Sequence, residues 1–421
     1  MRFSDYLAAE WKPALGCTEP GAIAYAASSA AAQADGPIRA IHLLCDARIY
    51  KNCYAVGIPF SGHKVGIRWA LAIGALLPDP SAKLEVFKQV TADILGEAQR
   101  LIDAGAITVE VARDHAELLV DCRVVRTGGV GRAVIERDHT RLVRLERDGQ
   151  LVGSGAEEEQ QPEEGPSVRD ALASLPFESL LELAQTASPA DREELRRGAE
   201  LNLAIARHGL TLFPRPFMDL IGVDPLTRIS RLVCAGVYAR MCGEDFVVMS
   251  LAGSGNKGVV ASVPLALWGR ETGASQEQID TALGLACLAT SSTTKYLGTL
   301  SAVCGCSNAA GIGLAAGLVL LQGGGPKEIS LAVNNMVGNV TGMICDGAKI
   351  GCALKTMTAV DAAFRAASLA SCGIGIPFSD GIVGADGKES LENLEQIANL
   401  GMHAVDEQIL KIMQAKLRLA P

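Results

Sequence analysis

Aromatic side chains are scarce at 4% of 421 residues, so large rings cannot supply most of this chain's core. Basic charge is also short: 38 Lys and Arg stand against 47 Asp and Glu, a net charge of −9. With no basic patch along the chain, nucleic acid and anionic membrane surfaces are excluded as partners. Long apolar runs are missing too. Between Lys295 and Lys327 nothing is charged, but the continuous small or apolar run covers only residues 309–321, between Ser307-Asn308 and three glycines at 323–325. That falls short of the ~20 residues a bilayer requires and reads as a buried core helix. No basic region followed by an apolar stretch opens the chain at Met1, so no secretory signal is read and a cytoplasmic location is expected. Finally, no H-x-x-x-H, C-x-x-C or G-x-S-x-G occurs, which leaves a histidine metal site, a zinc ribbon and a serine triad unsupported.

What is abundant is glycine, 45 residues, together with alanine and twelve cysteines. Small residues suit closely apposed helices, and cysteines without an export signal are thiols, metal ligands or catalytic groups before they are disulfides. The fold class expected is α+β. Residues 1–152 should form an N-terminal α+β domain, with helices near 3–11, 20–33, 64–77 and 84–104. A strand is expected at 38–45, and four β-branched runs near 107–111, 117–125, 131–135 and 142–145 are expected to make one antiparallel sheet. Residues 153–166, rich in Glu, Gln, Gly and Pro, read as a solvated acidic linker. Residues 167–421 should form a larger, mainly helical domain, interrupted by one strand-like run at 245–252.

Three local features could carry chemistry. The turn Gly253-Ser254-Gly255-Asn256-Lys257-Gly258, between an apolar run and a helix, can aim backbone amides at an anion such as a carboxylate. It lacks both the βαβ context of a dinucleotide site and the P-loop Lys-Ser/Thr ending, and a turn that serves only close packing remains an alternative. Cys304, Cys306, Cys345 and Cys352 gather soft ligands suited to zinc or an iron–sulfur cluster, although free cysteines also fill cores. On a helix Cys304 and Cys306 would point about 200° apart, which favours three ligands over four. Cys17 precedes a helix start, where the dipole lowers a thiol pKa and favours the thiolate; a packed bystander beside an N-cap Thr18 is the plain alternative.

Taken together, Gly16-Cys17-Thr18-Glu19-Pro20, Lys51-Asn52, residues 253–256, Cys304-Gly305-Cys306 and residues 339–355 resemble the L-cysteine desulfidase family, related to the alpha chain of iron–sulfur L-serine dehydratases. The resemblance implies a lyase carrying a 4Fe-4S cluster that eliminates sulfide from L-cysteine to give pyruvate and ammonia. It assigns Cys306, Cys345 and Cys352 as ligands, with Cys304 a neighbour that matches less well, and Cys17 as the catalytic base. Substrate contacts would fall on Thr18, Glu19, Asn52, Gly253, Ser254, Gly255, Asn256 and Lys257, the glycine turn taking the carboxylate. Phe60 stands where many relatives carry glycine, which implies a reshaped pocket. The ending at Pro421 lacks the terminal cysteine with which similar serine dehydratases cap their open iron, and so favours the desulfidase. The partner expected is a small amino acid, with no membrane and no nucleic acid, in a homodimer. The alternatives are L-serine dehydration, a cysteine-binding relative without chemistry, and a nicotinamide-dependent enzyme using residues 253–258.

Overall fold

The computed structural model describes residues 1–77, 79–113, 115, 117–153, 167–214, 224–298 and 301–419. It is an α+β molecule. Helix α1 (Phe3–Glu10) leads into strand β1 (Trp11–Leu15), and α2 (Thr18–Ala31) follows a sharp turn at Gly16. Next come β2 (Ile38–Asp46), α3 (Ala47–Cys53), α4 (Ile67–Leu76), a 3₁₀ stretch (Pro80–Gln89) and α5 (Ala92–Asp103). Strands β3 (Ile107–Ala112), β4 (Leu119–Arg126), β5 (Gly129–Glu136), β6 (Leu142–Arg147) and β7 (Gln150–Gly153) complete a six-stranded sheet in the order β3-β2-β4-β5-β6-β7. Residues 154–166, most of the expected linker, lie outside the described residues.

The sheet is mixed rather than wholly antiparallel. β2 pairs antiparallel with β4 but parallel with β3, with Leu43 opposite Val109. The cause is the helical crossover between them, since helices α3 to α5 carry the chain back to the same end of the sheet before β3 begins. A second, two-stranded sheet joins β1 to β8 (Val247–Leu251), with Trp11 opposite Leu251. The expected helix over 84–104 is two elements, broken where Thr91 caps α5 by accepting from the amide of Ile94.

The remaining helices are α6 (Val168–Ser174), α7 (Phe177–Gln185), α8 (Pro189–Leu210), α9 (Pro225–Cys242), α10 (Gly255–Glu271), α11 (Gln276–Leu297), α12 (Asn308–Leu321), α13 (Pro326–Val340), α14 (Gly351–Ser371), α15 (Gly387–Gln396) and α16 (His403–Leu419). Their starts are written in the chain: Ser167 with Asp170, Ser188 with Asp191 and Ser275 with Gln278 form capping boxes, each satisfying otherwise orphaned amides. α12 is buried from Asn308 to Val319, and among the described residues no helix is long and apolar enough to cross a membrane. Small residues do set the packing. A Cβ on Gly313 would lie 2.4 Å from the Ala286 carbonyl oxygen, and one on Gly209 2.1 Å from that of Ala235.

Two cores result, and they do not follow the order of the chain. Phe3, Tyr6 and Leu7 of α1 pack into the helical core beside α6 to α15. Ile409, Leu410 and Met413 of α16 pack with the sheet and α2. The ends of the chain are thus exchanged between the two cores, and the surfaces between them carry the candidate site.

Candidate functional site

Five segments meet here: the Gly16-Cys17 turn with the start of α2, helix α3, the turn from β8 into α10, and two loops at 301–307 and 343–350. Cys17 occupies the N-cap position of α2, one place earlier than the Thr18 cap considered from sequence. Asp46 fixes α3 at the sheet's end, its carboxylate accepting from the amides of Arg48, Ile49 and Leu119. Gly347, at φ +91°, lets the second loop lie on α3, where a Cβ would fall 2.1 Å from the Lys51 carbonyl oxygen.

The thiols converge. Residues 301–307 are not helical, and an isolated bridge pairs Val303 with Ile344. Backbone bonds from Cys304 N to Met343 O at 2.8 Å and from Cys345 N to Ala302 O at 2.6 Å hold the loops together. The helical argument that only one of Cys304 and Cys306 faces the site therefore fails, because residues 305–307 form a turn ahead of α12 and both thiols join the group. The Cys304 thiol interacts directly with those of Cys306 and Cys345, and Cys352 feels the charges of Cys304 and Cys345. Cys304 sits in the middle of the group, not beside it. The Cys304 contact, with Lys257 and Ser254 assisting against burial, holds Cys306 below the ordinary thiol value. Burial pushes Cys352 up to about 12.

Cations surround these thiols. Lys51 is buried and paired with Asp406, Lys355 is paired with Asp346, and the buried Lys349 ammonium has no hydrogen-bond partner among the described residues. Among those residues no set of three or more His, Cys, Asp and Glu is arranged to hold a single metal ion. A cluster bound at separate iron corners does not require its thiolates to meet at one point, and a gathered set of soft sulfurs with an ammonium beside it that makes no hydrogen bond among the described residues fits such an anionic group. All twelve cysteines are free thiols.

The glycine turn faces the same place. Ala252 and Gly253 both have positive φ, at 48° and 75°, the first a strained position for a residue with a Cβ. Ser254 does not cap α10; its hydroxyl lies 3.4 Å from Cys306 Sγ. Gly255 admits the Arg240 guanidinium, which a Cβ would overlap. Arg240 is buried, donating to Asn256 Oδ1 and, at 2.7 Å, to the Gly16 carbonyl. Lys257 is buried and donates to Ala252 O at 3.2 Å and Thr294 Oγ1 at 3.0 Å. Burial lowers its pKa to about 8, with Cys306 opposing the shift.

Cys17 departs from the expectation of an activated thiolate. Burial raises its pKa to about 11 although Arg240 pulls it down; one helix terminus does not offset desolvation. Thr18, Glu19 and Asn52 form one set: Glu19 accepts from Asn52 Nδ2 at 2.8 Å and Thr18 Oγ1 at 3.2 Å. Burial would raise the Glu19 carboxyl, but His139, Arg48 and Asn52 together hold it below its ordinary value. Arg240, Arg48 and His139 were missed in the sequence. His139 lies beside Glu19 with Nε2 buried and without a hydrogen-bond partner among the described residues. An isolated arginine or histidine carries no spacing signal that could have marked it.

The family model described as "Serine dehydratase alpha chain" matches residues 129–411. Relatives span the whole length. A UPF0597 protein of Geobacter sulfurreducens is 36% identical over 100% of this chain and 99% of its own. UPF0597 proteins of Nitratidesulfovibrio vulgaris and Caldanaerobacter subterraneus are each 36% identical over 98% of this chain, and over 99% and 98% of their own. The thiol loops and the glycine turn both fall inside the matched stretch, and the chain belongs to the serine dehydratase alpha chain family.

Proposed function

We propose that the protein is an iron–sulfur-dependent lyase that eliminates sulfide from L-cysteine, leaving aminoacrylate, which hydrolyses to pyruvate and ammonia. The observation that carries this reading is the gathering of Cys304, Cys306, Cys345 and Cys352 beside a helix start without a side-chain cap and the Lys349 ammonium, which makes no hydrogen bond among the described residues. Cys306, Cys345 and Cys352 would hold the cluster, with Cys304 available as a fourth thiol. When bound, the cluster supplies a Lewis-acidic iron that stabilises charge on a departing sulfur. The chain's own residues do the rest. Cys17 takes the Cα proton, with Arg240, hydrogen-bonded to it, favouring the thiolate that burial opposes. Thr18, Glu19 and Asn52 form a polar wall beside it, Glu19 anionic and suited to an ammonium. The first-turn amides of Gly255, Asn256 and Lys257 offer donors to negative charge.

The family's description makes L-serine the second substrate to test, with loss of hydroxide in place of sulfide. Anaerobically purified protein is expected to release sulfide and pyruvate in equal amounts from L-cysteine, and less pyruvate from L-serine. No sulfide from L-cysteine alongside rapid pyruvate formation from L-serine would replace this reading with the dehydratase. Product from neither, in iron-loaded protein, would leave a binding protein.

A further inference from the structure

Behind the β8–α10 turn lies a cavity of about 370 Å³, with Arg48, Arg169, Lys257, Lys295, Ser167 and Thr294 in its wall. Four of these six side chains are cationic. Two are neutralised: Arg169 Nε lies 3.0 Å from both carboxylate oxygens of Glu10, and Lys295 Nζ lies 2.6 Å from Asp170. The other two are not. Among the described residues Arg48 has no ion pair, and Lys257 meets only a carbonyl and a hydroxyl. Two cations outside any ion pair, one of them buried, face this half-open space, and an anion bound there would offset the cost of holding them together.

The cavity shares a wall with the thiols. Lys257 passes from its lining to the loop carrying Cys304 and Cys306, where a Cβ on Gly305 would lie 3.3 Å from Lys257 Cε. Arg48 sits on α3, one turn before Asn52, and its charge reaches Glu19. We infer that this cavity is the carboxylate subsite for small α-amino and 2-oxo acids, with Arg48 and Lys257 as the anchoring pair and Arg169 and Lys295 as flanking groups. Its volume, at the low end for ligand sites, suits a compact metabolite and not a nucleotide. The sequence reading placed the carboxylate on the amides of residues 253–258; the unpaired side chains move its anchor to the cavity next to that turn. The inference rests on the proposed lyase reading for what happens to the rest of the ligand, but anion binding needs no turnover.

The test is calorimetric titration of the intact protein with pyruvate and with its uncharged analogue pyruvamide, under anaerobic conditions. Pyruvate should bind, and pyruvamide should bind at least about tenfold more weakly, as expected when a buried charge loses its partner. Arg48→Leu should weaken pyruvate by a similar factor and Arg48→Lys should restore part of it, with the circular dichroism spectrum unchanged in both. Lys295→Ala, whose charge is already paired, should have a smaller effect. Equal affinity for pyruvate and pyruvamide, no binding of pyruvate, or an Arg48→Leu protein that binds as the wild type does would each overturn the subsite. Arg48-dependent pyruvate binding without sulfide release would sink the lyase and leave the subsite standing. Sulfide release with an unchanged KM for L-cysteine in Arg48→Leu would do the reverse.

Discussion

Arg240 is 3% exposed, and its hydrogen bonds tie Gly16, Asn256 and Cys17 to one guanidinium. Its effect on Cys17 has a measurable sign. A thiol raised to about 11 is protonated at pH 8, with about one part in a thousand as thiolate. Brief alkylation at pH 8 followed by peptide mass spectrometry should therefore mark exposed Cys372 and spare Cys17. Cys17 labelling should climb as pH rises toward 11, and Arg240→Met should move that climb higher still. Full labelling of Cys17 at pH 7 would contradict the assignment. At this scale the sequence exposes motif residues and hides single ones. Cys17, Glu19 and residues 253–257 stand in recognisable runs, whereas Arg240 meets Gly16 from 224 positions away with nothing local to announce it.

Among elements, the loop before α14 depends on how closely backbones can approach. Gly347→Ala places a Cβ against the Lys51 carbonyl at a backbone angle that L residues rarely adopt, and should cost about 2 kcal/mol or more. Gly351→Ala, four residues on and with nothing within 4 Å, should be neutral or stabilise by up to about 1 kcal/mol. Urea unfolding of the two variants separates a docking requirement from a general loss of glycine freedom; equal midpoints would count against it. The secondary structure was readable where capping pairs and β-branched runs are explicit, as at Ser275 with Gln278 and in β4. It was misread at Cys304 and Cys306, where an assumed helical period met a bridge and turn pinned by Met343 and Ala302. It was misread also at β3, whose parallel pairing depends on a crossover and not on local pattern.

For the molecule as a whole, the exchange of chain ends between cores is what no local pattern could reveal. Asp406 on α16 neutralises Lys51, whose side chain is 6% exposed. Asp406→Asn leaves that ammonium buried and unpaired and should destabilise by about 3 kcal/mol, while the double change Lys51→Met with Asp406→Leu should recover most of the loss. Denaturant midpoints for the three proteins check this; an Asp406→Asn protein as stable as the wild type would show the pair to be incidental. The central claim is that sulfurs from separate loops form one cofactor site. It is tested most directly by counting iron and acid-labile sulfide per chain after anaerobic reconstitution. About four of each are expected in the wild type, with a loss of both in Cys345→Ser and Cys352→Ser. A wild-type protein that stays colourless and iron-free, or a Cys345→Ser protein that keeps its full complement, would contradict it.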